Sequence, residues 1–276
     1  MSIREEYVME ELEVNLKLDG WALILGASSG FGAATALKLA KHGMDIIGIH
    51  LDMKSTLQNA INIKNEIEQT YKRKAIFFNT NAADINNIKN IVNKLKEEIG
   101  TNSIKVLLHS LAFGALKPYI ANTLSDSVNK EQLEMTLNVM ANSLVYWVQE
   151  LFFNGMFKKH ARIFAMTSIG SSRNWKDYGP VSAAKAALEA HIRQLALELA
   201  PYNITANAIC AGVTDTPALR KIPSSNDMIE KALKYNPHKR LTTPEDVANA
   251  ILALSTKLTY WITGNTIYVD GGEFLT

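Results

Sequence analysis

The sequence predicts an α/β protein built on a doubly wound parallel sheet. Two observations predict it: after residue 19 short apolar runs alternate with longer amphipathic ones, and the first two are joined by a glycine-rich turn. Such alternation demands parallel pairing through right-handed crossovers. The expected strands are about seven, with helices on both faces of the sheet.

Trp21–Leu25 is an unbroken apolar run and opens the domain. The alanine-rich stretch 31–42 follows as a helix. Asp45–His50 and Ala75–Asn79 are the next strands, separated by an amphipathic helix over 55–70. A helix over 85–99 leads to the strand Lys105–His109. The runs Ile46-Ile47 and Val106-Leu107-Leu108 do not alternate with polar residues, which fits strands covered on both sides. A long helix over 128–153 precedes Ala161–Thr167. A helix over 181–200 precedes Thr205–Cys210, and a helix over 244–256 precedes the last strand, Thr266–Val269. No repeat, linker or low-complexity tract interrupts the series. Residues 1–19 are expected to form an arm and 20–276 one domain.

Bulk properties narrow the function. A formal net charge of +2 gives no reason to expect nucleic acid. The single cysteine, Cys210, excludes an internal disulfide and fits a reducing compartment. The first residues are acidic where a signal peptide would be basic and then apolar. No apolar run approaches the roughly 18 residues needed to span a membrane. A cytoplasmic protein without membrane or nucleic-acid partners is expected, and no metal site is apparent.

The turn after the first strand reads Gly26-Ala-Ser-Ser-Gly30-Phe-Gly32 and runs straight into a helix. Gly26 permits the tight turn, Gly30 lets backbone approach a pyrophosphate, and Gly32 permits close packing of helix on strand. Free N–H groups and the helix dipole meet the phosphate charge. This is a dinucleotide-binding arrangement, spaced G-x-x-x-G-x-G. The second strand then ends beside the expected adenosine ribose, where an acidic residue would bind both hydroxyls and repel a 2′-phosphate. His50 holds that position without negative charge, which favours NADP(H), with Ser29 or Lys54 as phosphate partners. Asp52 lies two residues on and would reverse the preference to NAD(H). Asn81, after the third strand, stands where an adenine contact is expected.

Ser168 follows the fifth strand at its C-terminal end, the side on which doubly wound sheets bind ligands. A loop carries Arg173, Trp175 and Tyr178, and Pro180 suits the start of the next helix. Lys185 lies seven residues after Tyr178, nearly two helical turns, so the two project to about the same side. A tyrosine hydroxyl can donate a hydrogen bond or proton to an oxygen that becomes anionic as hydride arrives. A nearby ammonium is expected to favour the ionised phenol.

With these residues in place, the chain resembles the short-chain dehydrogenase/reductase superfamily over nearly its whole length after residue 19. The resemblance rests on the glycine turn, Ser168, Lys185, the stretch Asn207-Ala-Ile-Cys-Ala-Gly212-Val-Thr-Asp-Thr216 and the ending Thr263-Gly-Asn-Thr-Ile-Tyr-Val-Asp-Gly-Gly272. Most of that superfamily has tyrosine four residues before the lysine, where this chain has Val181. The Y-x6-K spacing is instead that of enoyl-acyl-carrier-protein reductases. The segment His109-Ser110-Leu111-Ala112-Phe113 resembles the His-Ser-Ile segment of those enzymes. A serine at 168 makes the chain most similar to their divergent third bacterial type.

The resemblance implies a Rossmann fold and roles for particular residues. It implies catalytic Tyr178, Lys185 and Ser168, with Lys185 also on the nicotinamide ribose. For the cofactor it implies Gly26, Ser28, Ser29, Gly30, Phe31 and Gly32 at the phosphates. His50, Asn81 and Ala82 stand toward the adenosine, and His109, Ser110, Gly212, Val213 and Thr216 toward the nicotinamide half. The asparagine that supports a proton relay in many members aligns with Met140. Residues 217–240, apolar and basic, are implied to cover the substrate; their basic face suits either an acidic carrier protein or a solvated amphipathic helix. A homotetramer is implied through the helices over 128–153 and 181–200.

The expected reaction is hydride transfer to C3 of an enoyl thioester, free or carrier-linked, in fatty acid synthesis. An enoyl thioester receives hydride at C3 while charge appears on the C1 oxygen, so the phenol must stand farther along the substrate than in a ketone reductase. The alternatives are a ketone, 3-oxoacyl or alcohol oxidoreductase of the same superfamily, and a non-catalytic dinucleotide-binding protein.

Overall fold

A computed structural model describes residues 16–275. Most of the expected arm, residues 1–15, lies outside the described residues. Residues 16–19 lie on the domain: Leu16 and Leu18 pack against one core face, and the Leu18 N–H donates to the His42 carbonyl at 2.8 Å.

Seven strands form one wholly parallel sheet. They are β1 (Trp21–Leu25), β2 (Asp45–His50), β3 (Ala75–Asn79), β4 (Ile104–His109), β5 (Phe157–Ser168), β6 (Thr205–Ala211) and β7 (Thr266–Val269). Their spatial order is β3-β2-β1-β4-β5-β6-β7, so the winding reverses between β1 and β4. Ligands bind doubly wound sheets in the crevice outside the carboxyl ends of the strands at such a reversal. Around the sheet lie α1 (Gly30–Lys41), α2 (Leu57–Gln69), α3 (Ile85–Ile99), α4 (Lys130–Leu137), α5 (Ser143–Phe153), α6 (Gly179–Leu199), α7 (Ser225–Tyr235) and α8 (Pro244–Leu254).

The strand residues alternate between two apolar layers. Leu23, Ile47, Leu107 and Ile163 face α3, α5 and α6, whereas Ile24, Ile46, Leu108 and Phe164 face α1, α2 and α8. Both faces are covered, which explains why the strands read as unbroken apolar runs. Trp147 of α5 is fully buried, and its Nε1–H donates to the Ala82 carbonyl at 2.8 Å. That bond pins the turn after β3 to the helix layer.

Arg162 is also buried, at 2% exposed, and among the described residues it pairs with no carboxylate. Its guanidinium donates to the carbonyls of Leu254, His160 and Thr256 at 3.3, 2.9 and 3.0 Å. Those of Leu254 and Thr256 belong to the end of α8, where a helix leaves acceptors unfilled. Cys210 on β6 is 2% exposed, and burial, ahead of the nearby acidic charges, pushes its thiol up to about 12.

The structure refines the sequence in three places. The helix expected over 128–153 is broken by a wide π-turn at Asn138–Asn142. α6 begins at Gly179, with Pro180 in its first turn as anticipated. Within 217–240 an amphipathic helix, α7, forms, and no helix of the described residues is long and apolar enough to cross a membrane.

Candidate active site

The glycine turn sits at the sheet reversal. Gly26 has φ of 93°, where an L side chain is strained, and a Cβ there would lie 2.5 Å from the Ser110 carbonyl oxygen. A Cβ on Gly32 would fall onto the Gly26 carbonyl itself. Ser29 precedes α1 without placing its side chain over the helix end, so the first N–H groups of α1 carry no side-chain cap. A cradle that any side chain would fill, open at a helix N-terminus, fits a pyrophosphate. Phe31 lies just inside the helix and packs on the core. Thr216, 8% exposed, reaches the same turn: its methyl lies 3.6 Å from where a Cβ on Gly30 would be.

At the end of β2 the side chains are arranged differently from the sequence expectation. His50 is 6% exposed and its Nδ1 lies 2.8 Å from Asp52 Oδ2, so it is turned to its neighbour rather than to an open phosphate site. Burial alone would raise the Asp52 carboxyl, but hydrogen bonds with Thr56, Ser28 and His50 overcome it and hold Asp52 below its ordinary value. The backbone of Asp52 is clasped by the Asn79 amide in both directions at 2.9 Å. A fixed carboxylate thus touches Ser28 of the glycine turn. Lys54 is exposed nearby. Asn81 is exposed, its Oδ1 accepting from the Ala83 N–H at 2.9 Å, while Ala82 is buried.

His109 ends β4 and is fully buried on the α5 face of the sheet. Its ring does not open to the crevice: Nε2 meets the Ser143 hydroxyl at 2.8 Å, and that hydroxyl donates to the Val139 carbonyl of the π-turn at 2.8 Å. Nε2 therefore carries the proton, and Nδ1 is buried without a hydrogen-bond partner. Burial, then the Lys185 charge, lowers His109 to about 3, so it is neutral. The cofactor contact expected of His109 is thus closed to its side chain. The Ser110 backbone lies beside Gly26, its N–H donating to the Leu25 carbonyl at 2.9 Å.

Ser168, Tyr178 and Lys185 come together at the carboxyl end of β5. Tyr178 stands at the N-terminus of α6, its ring packed over Gly170 so closely that a Cβ there would lie 2.5 Å from the ring. Burial raises the Tyr178 hydroxyl above its usual range, and a hydrogen bond with Ser168 opposes this only in part. The phenol is therefore held neutral. The sequence expectation that Lys185 favours its ionisation is not realised in this arrangement: the Lys185 ammonium donates to the Met166 carbonyl at 2.7 Å, and its charge falls on His109. Lys185 is 5% exposed and burial lowers it to about 8.

Val181 and Met140 are buried together in a small apolar cluster with Ala184, against which Tyr178 and Leu116 pack. On the other side Gly212 and Val213 follow β6, and the Val213 N–H donates to the Glu273 carboxylate at 3.1 Å. Arg220, expected as part of a basic lid, is bound at both guanidinium ends by Asp215, at 2.6 and 2.7 Å. Lys221, Lys231 and Lys234 remain exposed there. Sequence reasoning missed the π-turn, the Asp52 hydrogen bond with Ser28, and Glu189, one turn beyond Lys185 and accepting from Thr167; only the i, i+4 helical spacing from Lys185 could have pointed to Glu189.

With this geometry in place, known proteins add the following. Residues 26–273 match the family described as Enoyl-(Acyl carrier protein) reductase. The chain is 28% identical over 256 residues to the 3-oxoacyl-[acyl-carrier-protein] reductase FabG of Buchnera aphidicola, covering 92% of this chain and 97% of that one. It superposes on the enoyl-[acyl-carrier-protein] reductase (NADH) of Aquifex aeolicus with a TM-score of 0.80 at 23% identity, over 95% and 98% of the two chains. A short-chain dehydrogenase of Burkholderia cenocepacia in complex with NADP gives a TM-score of 0.78 at 25% identity, over 94% and 99%.

Proposed function

The chain belongs to the short-chain dehydrogenase/reductase superfamily, in the family described as Enoyl-(Acyl carrier protein) reductase, and on that footing we propose that it reduces the C2–C3 double bond of an enoyl thioester. The observation that carries this reading is the apolar cluster of Val181 and Met140. It closes the two positions that the resemblance gives to the phenol and the relay asparagine of a ketone reductase. The phenol available is Tyr178, displaced to the loop side of α6.

The glycine turn and the first N–H groups of α1 would hold the pyrophosphate. Lys185 would hold the nicotinamide ribose, and the backbone from Gly212 with Thr216 the carboxamide. Bound nicotinamide supplies the hydride. Tyr178, neutral because it is buried, donates a hydrogen bond to the thioester oxygen as negative charge gathers there. Ser168 orients that hydroxyl. With Met140 in place of the relay asparagine, C2 takes its proton from water.

Crotonyl and acetoacetyl thioesters, each with NADH and NADPH, separate the readings. Turnover of the crotonyl substrate is expected. Turnover of acetoacetyl thioester alone would establish the second reading, a ketone reductase, which the likeness to FabG favours.

Nucleotide preference is read from Asp52. The missing charge at position 50 favours NADP(H), but an ionised Asp52 carboxylate hydrogen-bonded with Ser28 of the glycine turn would repel a 2′-phosphate bound there. We place NADH first. Asp52→Ser is expected to raise the NADPH-to-NADH ratio of kcat/KM about tenfold, equivalent to ~1.4 kcal/mol. An unchanged ratio returns the preference to NADP(H). Exposed lysines 221, 231 and 234 offer an acidic carrier its contact. Phe153 and Leu197, 81% and 70% exposed near the ends of α5 and α6, are the surface through which a homotetramer would assemble.

A further inference from the structure

Lys185 is an ammonium buried with little around it to favour its charge. Its hydrogen bond goes to a neutral carbonyl, Met166, at 2.7 Å, and among the described residues no carboxylate lies within ion-pair distance. Removal from water drives an ammonium toward the neutral form. Yet the ribose role assigned to it above needs the cation.

The groups facing Lys185 come from four elements. β4 brings His109, β5 the Met166 carbonyl, β6 Cys210 and α6 Glu189, with the neutral Tyr178 at the start of α6. His109, at about 3, and Cys210, at about 12, are both neutral near pH 7. Glu189 is the counter-charge among them, and it opposes the effect of burial on Lys185. It lies one turn along α6, on the same side of the helix. Its carboxylate is not left to wander in solvent. The hydroxyl of Thr167, a residue 4% exposed, donates to Glu189 Oε1 at 2.6 Å. Thr167 immediately precedes Ser168, so the bond ties α6 to the strand that carries the candidate serine.

We infer that Glu189 is a positioning residue, a carboxylate fixed by Thr167 so that its charge keeps the buried Lys185 protonated. This rests on the assignment of Lys185 to the ribose made above. Glu189→Gln is the closest probe, since the amide oxygen can still accept from Thr167 while the charge is gone.

The midpoint for Lys185 can be followed in the cofactor-free protein by NMR of its ε-carbon, assigned by the signal lost in Lys185→Arg. It is expected to fall by about one pH unit in Glu189→Gln. The alkaline limb of kcat/KM should move with it, giving about a fivefold loss at pH 8 and almost none at pH 6. Thr167→Val, which leaves the charge but frees the carboxylate, is expected to shift the same midpoint by less. Midpoints unchanged from the parent protein in both variants overturn the proposal, whatever the activity. A Lys185→Met variant that binds nicotinamide cofactor as tightly as the parent would instead overturn the ribose assignment, and the NMR midpoint would still report on Glu189.

Discussion

Replacing Tyr178 by phenylalanine is expected to lower kcat for an enoyl thioester by about 10²–10⁴-fold, the usual contribution of a positioned acid or hydrogen-bond donor. The ring should stay where it is, because it is held by packing over Gly170 and against Val181 and Met140 rather than by its hydroxyl. Cofactor affinity and thermal stability should therefore remain near those of the parent. Measured kcat, cofactor Kd by fluorescence and the unfolding midpoint together test this. A loss below about tenfold would remove the phenol from the chemistry. The pH profile adds an independent check. Burial raises the Tyr178 hydroxyl above its ordinary value, so its ionisation lies beyond the working range. Lys185, lowered to about 8, titrates first. Activity should thus fall as pH rises through about 8, because the cation is lost, and this limb should persist in the residual activity of Tyr178→Phe.

Gly32→Ala is expected to abolish cofactor binding. The added methyl would fall on the Gly26 carbonyl, a backbone atom that cannot rotate aside, and Gly26 is itself confined between Ile49 and Ser110. Relief requires α1 to move off β1, which opens the phosphate cradle. Overpacking of this kind typically destabilises by 1–3 kcal/mol. A cofactor Kd raised more than about 100-fold, equivalent to ~2.8 kcal/mol, is expected together with a lower unfolding midpoint. Cofactor affinity equal to that of the parent would show that the turn does not hold the phosphates.

Much of the fold was legible because its signals are local. The apolar runs of β1, β2 and β4 are continuous since both faces of the sheet are covered, and the glycine spacing marks the turn that only small residues can build. The trio Ser168, Tyr178 and Lys185 was legible from spacing around a strand end and a helix start. What the sequence hid depends on direction. His50 and Asp52 are two residues apart, and nothing in their order says that the imidazole turns inward to the carboxylate. His109 was assigned to the crevice on its place in a motif, but strand alternation puts its ring on the α5 face, where the Ser143 hydroxyl receives it. The π-turn at Asn138–Asn142 leaves no compositional mark; in the fold its Met140 packs against Val181 and Ala184 of α6.

Cys210 offers a use that follows from its burial alone. A thiol that is almost wholly neutral near pH 7, 2% exposed where β6 borders a small cleft beside Gly212 and Tyr268, reacts with alkylating reagents mainly when that cleft opens. Because the chain contains one cysteine, each labelling event counts one such opening. The rate of modification in the native protein therefore clocks how often that cleft opens, and bound nucleotide should slow that clock in proportion to its grip.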